Sequence, residues 1–338
     1  MLLWKKYCKG EKEMFRRSVL LILCGLLVLS PLAAAHSEAS DPAQGPIITL
    51  TGDESLTVDA AFTFDDPGAT AMDAHGKDLT DRITVEGTVV PYLVGEYTLI
   101  YTVTDDEGNQ AQAERIVNVV PVTLPEVVDP PAKTIYLTFD DGPSYYTEHL
   151  LDILKQYDVK ATFFIVGDRG HEELIRRTFE EGHSIGVHSY THVYEEIYAS
   201  DEAFFNDFMA TEEVIHEITG QYTFLFRFPG GSSNTVSLIS PGIMTRLTKI
   251  MEDMGYRYFD WTVSAGDSST VKDTMYGYYC TIRNRVKPDA PFNVILQHDL
   301  NYYSIRSLET FIPWALENGY TFLPLDLTSP VVHSKVRN

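Results

Sequence analysis

A chain of 338 residues that is 44% hydrophobic is long enough for two domains or one large one, with ample material for a core. Its 48 acidic and 26 basic side chains give a formal charge of −22, which excludes a nucleic-acid-binding surface and opposes anionic partners.

The first residues stand apart in composition. Lys5, Lys6, Lys9, Lys12, Arg16 and Arg17 precede an apolar run from Val19 to Leu29, and Ala33-Ala34-Ala35 follows. A basic region, an apolar stretch and a small-residue cleavage site read as a bacterial export signal over residues 1–35, so an extracellular or cell-surface protein is expected. The alternative is an uncleaved anchor, which would be the chain's only contact with a membrane; the run Val19–Ala35 is short for a span. Leu23 stands before Cys24 where a lipoprotein would carry a small residue. Removing residues 1–35 takes away six basic and two acidic residues and leaves 20 basic against 46 acidic, a net charge of −26. Cys280 is then the one remaining cysteine, so no intrachain disulfide forms and the core alone must hold the fold.

Residues 36–45 read as a polar linker. From 46 to 120 the pattern is all-β: Ile47–Leu50, Ser55–Phe64, Glu96–Thr104 and Gln110–Val120 are strand-like. Tyr97, Leu99, Tyr101 and Val103 alternate with threonines, as a half-buried hairpin strand should, and Asp105-Asp106-Glu107-Gly108-Asn109 makes the turn. A small β-sandwich is expected. Asp66-Pro67-Gly68-Ala69-Thr70-Ala71, Val94-Gly95-Glu96-Tyr97 and Tyr101–Asn109 resemble a bacterial immunoglobulin-like repeat of surface proteins. Residues 121–133 contain Pro121, Pro125, Pro130 and Pro131 and read as a stiff linker.

From 134 to about 330 strands and helices alternate. Strand-like runs are Thr134–Phe139, Ala161–Val166, Ser184–Val187, Phe224–Phe228, Tyr256–Val263, Asn293–Gln297 and Thr321–Leu325. Helical patterns fill the intervals, most clearly at Leu150, Ile153, Leu154 and Tyr157. Seven strands with helical crossovers imply an α/β fold with a parallel sheet, either closed toward a (β/α) barrel or open and doubly wound. Asp140, Asp141, His188, Arg227, Asp260 and His298 all fall at or near strand C-termini, the face at which a barrel gathers its active site.

Two adjacent acids at the end of a buried strand repel each other and need compensation. His188 and His192, at i and i+4, would share one face of a helical turn and hold one metal. Asp141 completes a two-nitrogen, one-carboxylate set, which suits zinc in a hydrolase. The same set suits non-haem iron(II), although the α/β pattern is not that centre's usual setting. A water activated there needs a base, for which Asp140 is the candidate, and a leaving amine needs a proton, for which His298 is the candidate. Arg227 is the candidate partner for Asp140, and Asp260 for His298. His149, His171, His183 and His216 read as surface or core residues.

The ordered set Thr138-Phe139-Asp140-Asp141-Gly142-Pro143-Ser144, His188-Ser189-Tyr190-Thr191-His192, Arg227-Phe228-Pro229-Gly230-Gly231, Asp260-Trp261 and Leu296-Gln297-His298 strongly resembles the polysaccharide deacetylases, the NodB-homology carbohydrate esterases. The resemblance spans Thr134–Asp326. It implies a distorted (β/α) barrel and metal-dependent removal of acetyl from N-acetylated sugars. It also implies Asp140 as base braced by Arg227, and Asp141, His188 and His192 as ligands of Zn2+, or of Co2+ or Mn2+. By the same likeness Asp260 tunes the acid His298, Trp261 and Leu296 line the acetyl pocket, and the Pro229-Gly230 turn contacts substrate. Two positions depart from the family. Gly230 stands where many members have tyrosine, keeping the backbone N–H that helps hold the oxyanion but losing the ring. Ser264 stands where an acid is common.

The expected substrate is peptidoglycan N-acetylglucosamine. Chitin, poly-N-acetylglucosamine and acetylxylan are the enzymatic alternatives, and a non-catalytic carbohydrate-binding surface protein is the alternative of another class. Intact Asp140, Asp141, His188, His192 and His298 argue against the last.

Overall fold

The computed structural model describes residues 45–268 and 274–338, so the expected export signal lies outside the described residues. Six strands come first: β1 (Ile47–Leu50), β2 (Ser55–Asp59), β3 (Ala69–Met72), β4 (Thr84–Glu86), β5 (Gly95–Thr104) and β6 (Gln110–Val120). β1 pairs antiparallel with β3, and a four-stranded sheet runs β2-β6-β5-β4. The β5–β6 hairpin buries Leu99, Tyr101, Val103, Val117 and Val119, so the alternation read from sequence marks the inward face. Its turn is held by the Asp105 carboxylate, which accepts the N–H groups of Glu107 (3.1 Å) and Asn109 (2.7 Å). The Asp66-Pro67-Gly68 motif also has a structural cause. Asp66 accepts from the Tyr101 hydroxyl at 2.7 Å and from the fully buried Arg115 guanidinium at 2.8 Å, which also reaches the carbonyls of Thr51 and Gly68.

Eight further strands form one sheet: β7 (Thr134–Asp140), β8 (Thr162–Val166), β9 (Ser184–Ser189), β10 (Leu225–Phe226), β11 (Arg257–Tyr258), β12 (Val263–Ser264), β13 (Phe292–His298) and β14 (Thr321–Phe322). The order is β11-β10-β9-β8-β7-β13-β12, all pairs parallel, with β14 beside the start of β7. Every residue of β7 is buried, as expected of a central parallel strand covered on both faces. On one face Tyr136 packs with Phe164, Leu225, Phe259, Val294 and Leu325. Helices cover the other, where Ile135, Leu137 and Phe139 join their buried residues: α1 (Thr147–Gln156), α2 (Glu172–Glu180), α3 (Tyr194–Ile197), α4 (Asp201–Thr219), α5 (Ile243–Asp253), α6 (Met275–Arg285) and α7 (Tyr302–Glu317). Their boundaries follow local chemistry: Ser200, Thr274 and Asn301 cap α4, α6 and α7, and left-handed Gly220 ends α4.

The segment expected as one strand, Tyr256–Val263, is two short strands on opposite edges of the sheet. Between β11 and β12 lie only Phe259–Thr262, so five Cα steps bridge the edges, at most about 17 Å. The sheet therefore curls into a nearly closed barrel. Arg227 causes the break: its Nε donates to the Phe259 carbonyl (2.6 Å) and Nη2 to that of Asp260 (3.1 Å), turning this stretch inward instead of along a ladder.

The proline-rich segment is not a free spacer. Val122 N–H donates to the Asp253 carbonyl and Val128 N–H to that of Thr328, both at 2.8 Å, while Arg257 donates to the Pro125 carbonyl. Phe62 of the sandwich packs against Phe205, Phe208 and Tyr256 at ring distances of 5.8–6.3 Å, and Tyr92 lies 4.9 Å from Phe205. Ala60 and Val119 belong to the same buried cluster as the barrel core, and residues 45–338 form one compact unit.

Candidate active site

β7 ends on Asp140, and Asp141 continues with φ of 72°, a left-handed backbone that is costly for a residue with a Cβ. His188 lies in β9, and His192 follows a turn with φ of 57°. Strained backbone at two adjoining polar residues is characteristic of a functional site. The two histidines do not sit on a helical turn as their spacing suggested. The Asp207 carboxylate on α4 instead gathers the loop, accepting from Ser189 Oγ (2.6 Å), Tyr190 N–H (2.8 Å) and Thr191 N–H (2.9 Å), and Ser189 Oγ accepts from His192 N–H (2.9 Å). The result brings the two imidazoles to 5.2 Å.

Asp141 Oδ1 lies 3.4 Å from His188 Nε2 and 3.2 Å from His192 Nε2, and the three donor atoms fall within 4.8 Å of one another. Tetrahedral ligands about 2.0–2.1 Å from one ion are separated by about 3.3 Å, so these gaps fit a shared cation. Asp141 Oδ1 is buried and has no hydrogen-bond donor. His188 Nδ1 contacts the Arg227 carbonyl at 2.8 Å; that carbonyl requires a proton on Nδ1, which leaves the Nε2 lone pair directed at Asp141. Burial alone would raise the Asp141 carboxyl, but His188, His192 and His298 outweigh it and hold it below the usual range. The donor set therefore fits a divalent metal.

Asp140 is 3% exposed and faces the fully buried Arg227, whose Nη1 donates to Asp140 Oδ1 (2.8 Å) and approaches Thr138 Oγ1 (2.7 Å). This is the contact expected from sequence. Asp260, the expected partner of His298, does not contact it. Asp260 is 1% exposed and accepts from Ser232 N–H (2.9 Å), Ser232 Oγ (2.5 Å) and Ser334 N–H (2.7 Å), so it ties the Gly231-Ser232 turn to the C-terminal segment. His298 Nδ1 instead meets Asp267 Oδ1 at 2.8 Å, while Asp267 Oδ2 accepts from His298 N–H (2.9 Å) and Ser304 Oγ (2.5 Å). Burial disfavours charge on His298, but Asp267, with Asp140 and Asp141, pushes its pKa up to about 9. His298 Nε2 then points inward, 4.0 Å from Asp141 Oδ2. The signal for Asp267 was present seven residues beyond Asp260, in an irregular loop that strand periodicity does not resolve.

The remaining sequence candidates divide between floor and rim. The Trp261 ring lies over the Arg227 guanidinium at 5.7 Å and closes on Gly231, and Leu296 is buried two residues before His298, on the same strand face. The Pro229 carbonyl accepts from the buried Tyr198 hydroxyl at 2.8 Å, which fixes the turn. Gly230 has φ of 76°, so a tyrosine there would be strained on this backbone. The nearby space is taken by Tyr194, whose hydroxyl is 3.7 Å from where a Gly230 Cβ would stand and whose ring is 5.2 Å from that of His192. Tyr194 escaped the sequence reading because only the fold brings it beside Gly230.

The family model for polysaccharide deacetylases matches residues 127–259, and that for the Ig-like domain of bacterial surface proteins matches 48–119. A peptidoglycan-N-acetylglucosamine deacetylase of Bacillus cereus is 35% identical over 194 residues, covering 56% of this chain and 68% of that protein. The putative polysaccharide deacetylase YheN of Bacillus subtilis is 35% identical over 208 residues, covering 60% and 70% respectively. Among solved structures, the catalytic domain of a peptidoglycan N-acetylglucosamine deacetylase from Eubacterium rectale is 42% identical with a TM-score of 0.62, covering 63% of this chain and 98% of that one. A polysaccharide deacetylase from Bacillus cereus is 34% identical with a TM-score of 0.52, covering 59% and 96%. The chain belongs to the polysaccharide deacetylase family.

Proposed function

We propose that this chain is an exported hydrolase that removes the acetyl group from N-acetylglucosamine residues of peptidoglycan. The observation that carries the reading is the convergence of a carboxylate braced by arginine, an Asp-His-His donor set and an Asp-His pair at one end of the barrel. Relatives of this chain are named for that reaction. Among the described residues no helix is long and apolar enough to cross a membrane. The matching surface-protein Ig-like domain supports action outside the cell.

Asp141, His188 and His192 would hold the divalent ion, zinc by preference for this ligand set, with cobalt or manganese as alternatives. Such an ion supplies Lewis-acid polarisation at the acetyl carbonyl and the attacking water. Asp140, held by Arg227, takes a proton from that water as its oxygen bonds to the acetyl carbon. The Gly230 N–H is the protein donor assigned to the developing oxyanion. As the C–N bond breaks, His298 Nε2 gives its proton to the departing nitrogen while Asp267 stabilises the imidazolium. The products are acetate and a free amine, and the proton on Asp140 restores the cycle through solvent.

The test is acetate release by the full chain from peptidoglycan fragments, chitin oligomers, poly-N-acetylglucosamine and acetylxylan, after chelation and after return of single divalent ions. Release from peptidoglycan that disappears on chelation and returns with zinc supports the reading. Binding of these glycans without acetate release under any ion would favour the non-catalytic alternative.

A further inference from the structure

Two segments leave the catalytic end of the barrel, the turn after β7 and the start of α7 after β13, and both carry tyrosines that the chemistry above does not use. Tyr145 and Tyr146 follow Asp141 by four and five residues, and Tyr302 and Tyr303 follow His298 by the same intervals. Their parent strands β7 and β13 are neighbours, with His298 opposite Asp140. Asp299 pins the two segments together: its carbonyl accepts from Ser144 Oγ at 2.6 Å and its carboxyl from Thr147 Oγ1. Gly142 is required at this junction because a Cβ there would meet Asp299 Oδ2 at 2.0 Å.

The rings form a continuous row. Tyr145 to Tyr146, Tyr146 to Tyr302, and Tyr302 to Tyr303 are separated by 5.5, 5.6 and 5.7 Å. The His149 ring stacks beside Tyr302, and Arg306 lies over it at 5.8 Å, which orients that ring. Yet Tyr145 is 84% exposed, Tyr303 46% and Tyr302 39%. A braced aromatic row left in water at the edge of a catalytic face has the character of a binding surface.

We propose that this row is a platform for the sugar units that flank the residue being deacetylated, so that the protein prefers an extended glycan strand to a short fragment. This rests on the deacetylase reading for its register but not for its chemistry. A pyranose presents a face of C–H groups to an aromatic ring and hydroxyls around its edge, and tyrosine offers the matching apolar body and polar tip. The row lies on the segments that follow Asp141 and His298, at the same end of the barrel as the site. The charge of −22 argues against a polyanion as the occupant.

The test compares Tyr145→Ala, Tyr303→Ala and the double variant with Tyr145→Phe and Tyr303→Phe. The substrates are N-acetylglucosamine oligomers of increasing length, and binding of the longest soluble one to chelated full-length protein is followed by calorimetry. Each Ala change is expected to raise KM and weaken binding about 3–10-fold for long oligomers only, while kcat holds and the Phe variants retain affinity. The binding arm needs no turnover. Ring-dependent binding of the oligomers without acetate release would leave the platform standing, because the catalytic reading is decided on peptidoglycan itself. Acetate release with KM and binding indifferent to the double Ala variant overturns the platform, as does an equal loss for short and long oligomers or the absence of any oligomer binding.

Discussion

Asp267→Asn is the most informative single change. The substitution keeps the shape but removes the charge that meets His298 Nδ1 at 2.8 Å. It also leaves an amide nitrogen where Asp267 Oδ2 accepts from His298 N–H and Ser304 Oγ, or turns that nitrogen toward Nδ1. His298 stays protonated until the pH rises through about 9, so the general acid is available at neutral pH and activity should fall on the alkaline side. A neighbouring opposite charge at hydrogen-bond distance displaces a titration by about 1–3 pH units, so the alkaline limb of kcat should move down by that amount. Near neutral pH the rate on an N-acetyl substrate should fall by no more than about tenfold, the share of protonated His298 that such a shift removes. Asp260→Asn, in contrast, should leave the limb in place, because Asp260 binds Ser232 and Ser334. The assay is a pH profile of acetate release for the three proteins at saturating metal. An unchanged limb in Asp267→Asn, or a shift only in Asp260→Asn, would refute the assignment.

Asp207→Ala removes the anchor of the His188–His192 loop and should weaken divalent-metal binding about 10–100-fold, measured by competition with a chelating dye; unchanged affinity would show that the loop holds itself. Phe62→Ala should lower the stability of the whole chain by about 1–3 kcal/mol in urea unfolding, because its ring packs against Phe205, Phe208 and Tyr256; a second transition confined to the sandwich would instead show independent folding. His183 is buried and its Nδ1 accepts from Ala161 N–H, with burial lowering its pKa to about 4. The unfolded chain takes up that proton near pH 6.5, so this contribution is complete above 6.5 and lost as pH falls through about 4. His183→Asn should therefore flatten the decline of stability between those limits, and an identical pH slope in unfolding experiments would rule this out.

The chemistry of this site was readable where one residue at a strand end does one job. Asp140, Asp141, Arg227 and His298 terminate or follow strands, and alternation plus Gly142-Pro143 marks where β7 stops. Features that depend on distant chain were hidden. The split of Tyr256–Val263 follows from Arg227 drawing two carbonyls inward, an effect with no local pattern. His188 and His192 suggested a helix by spacing, but Asp207, fifteen residues downstream of His192, decides the loop. Asp260 and Asp267 are equally acidic in sequence, and only closure of the barrel shows which one reaches His298. The proline-rich segment carries the composition of a spacer, while its hydrogen bonds to Asp253 and Thr328 are invisible without the barrel surface.

Deacetylation of the glycan is read out by treating intact peptidoglycan with the zinc-loaded full chain, digesting it, and identifying the sugars of each fragment by mass spectrometry. Glucosamine should stand in place of N-acetylglucosamine, with one acetate released per conversion and none with Asp140→Asn. Fragments that keep every N-acetyl group, under conditions where the protein is folded and holds its metal, would contradict the deacetylase reading.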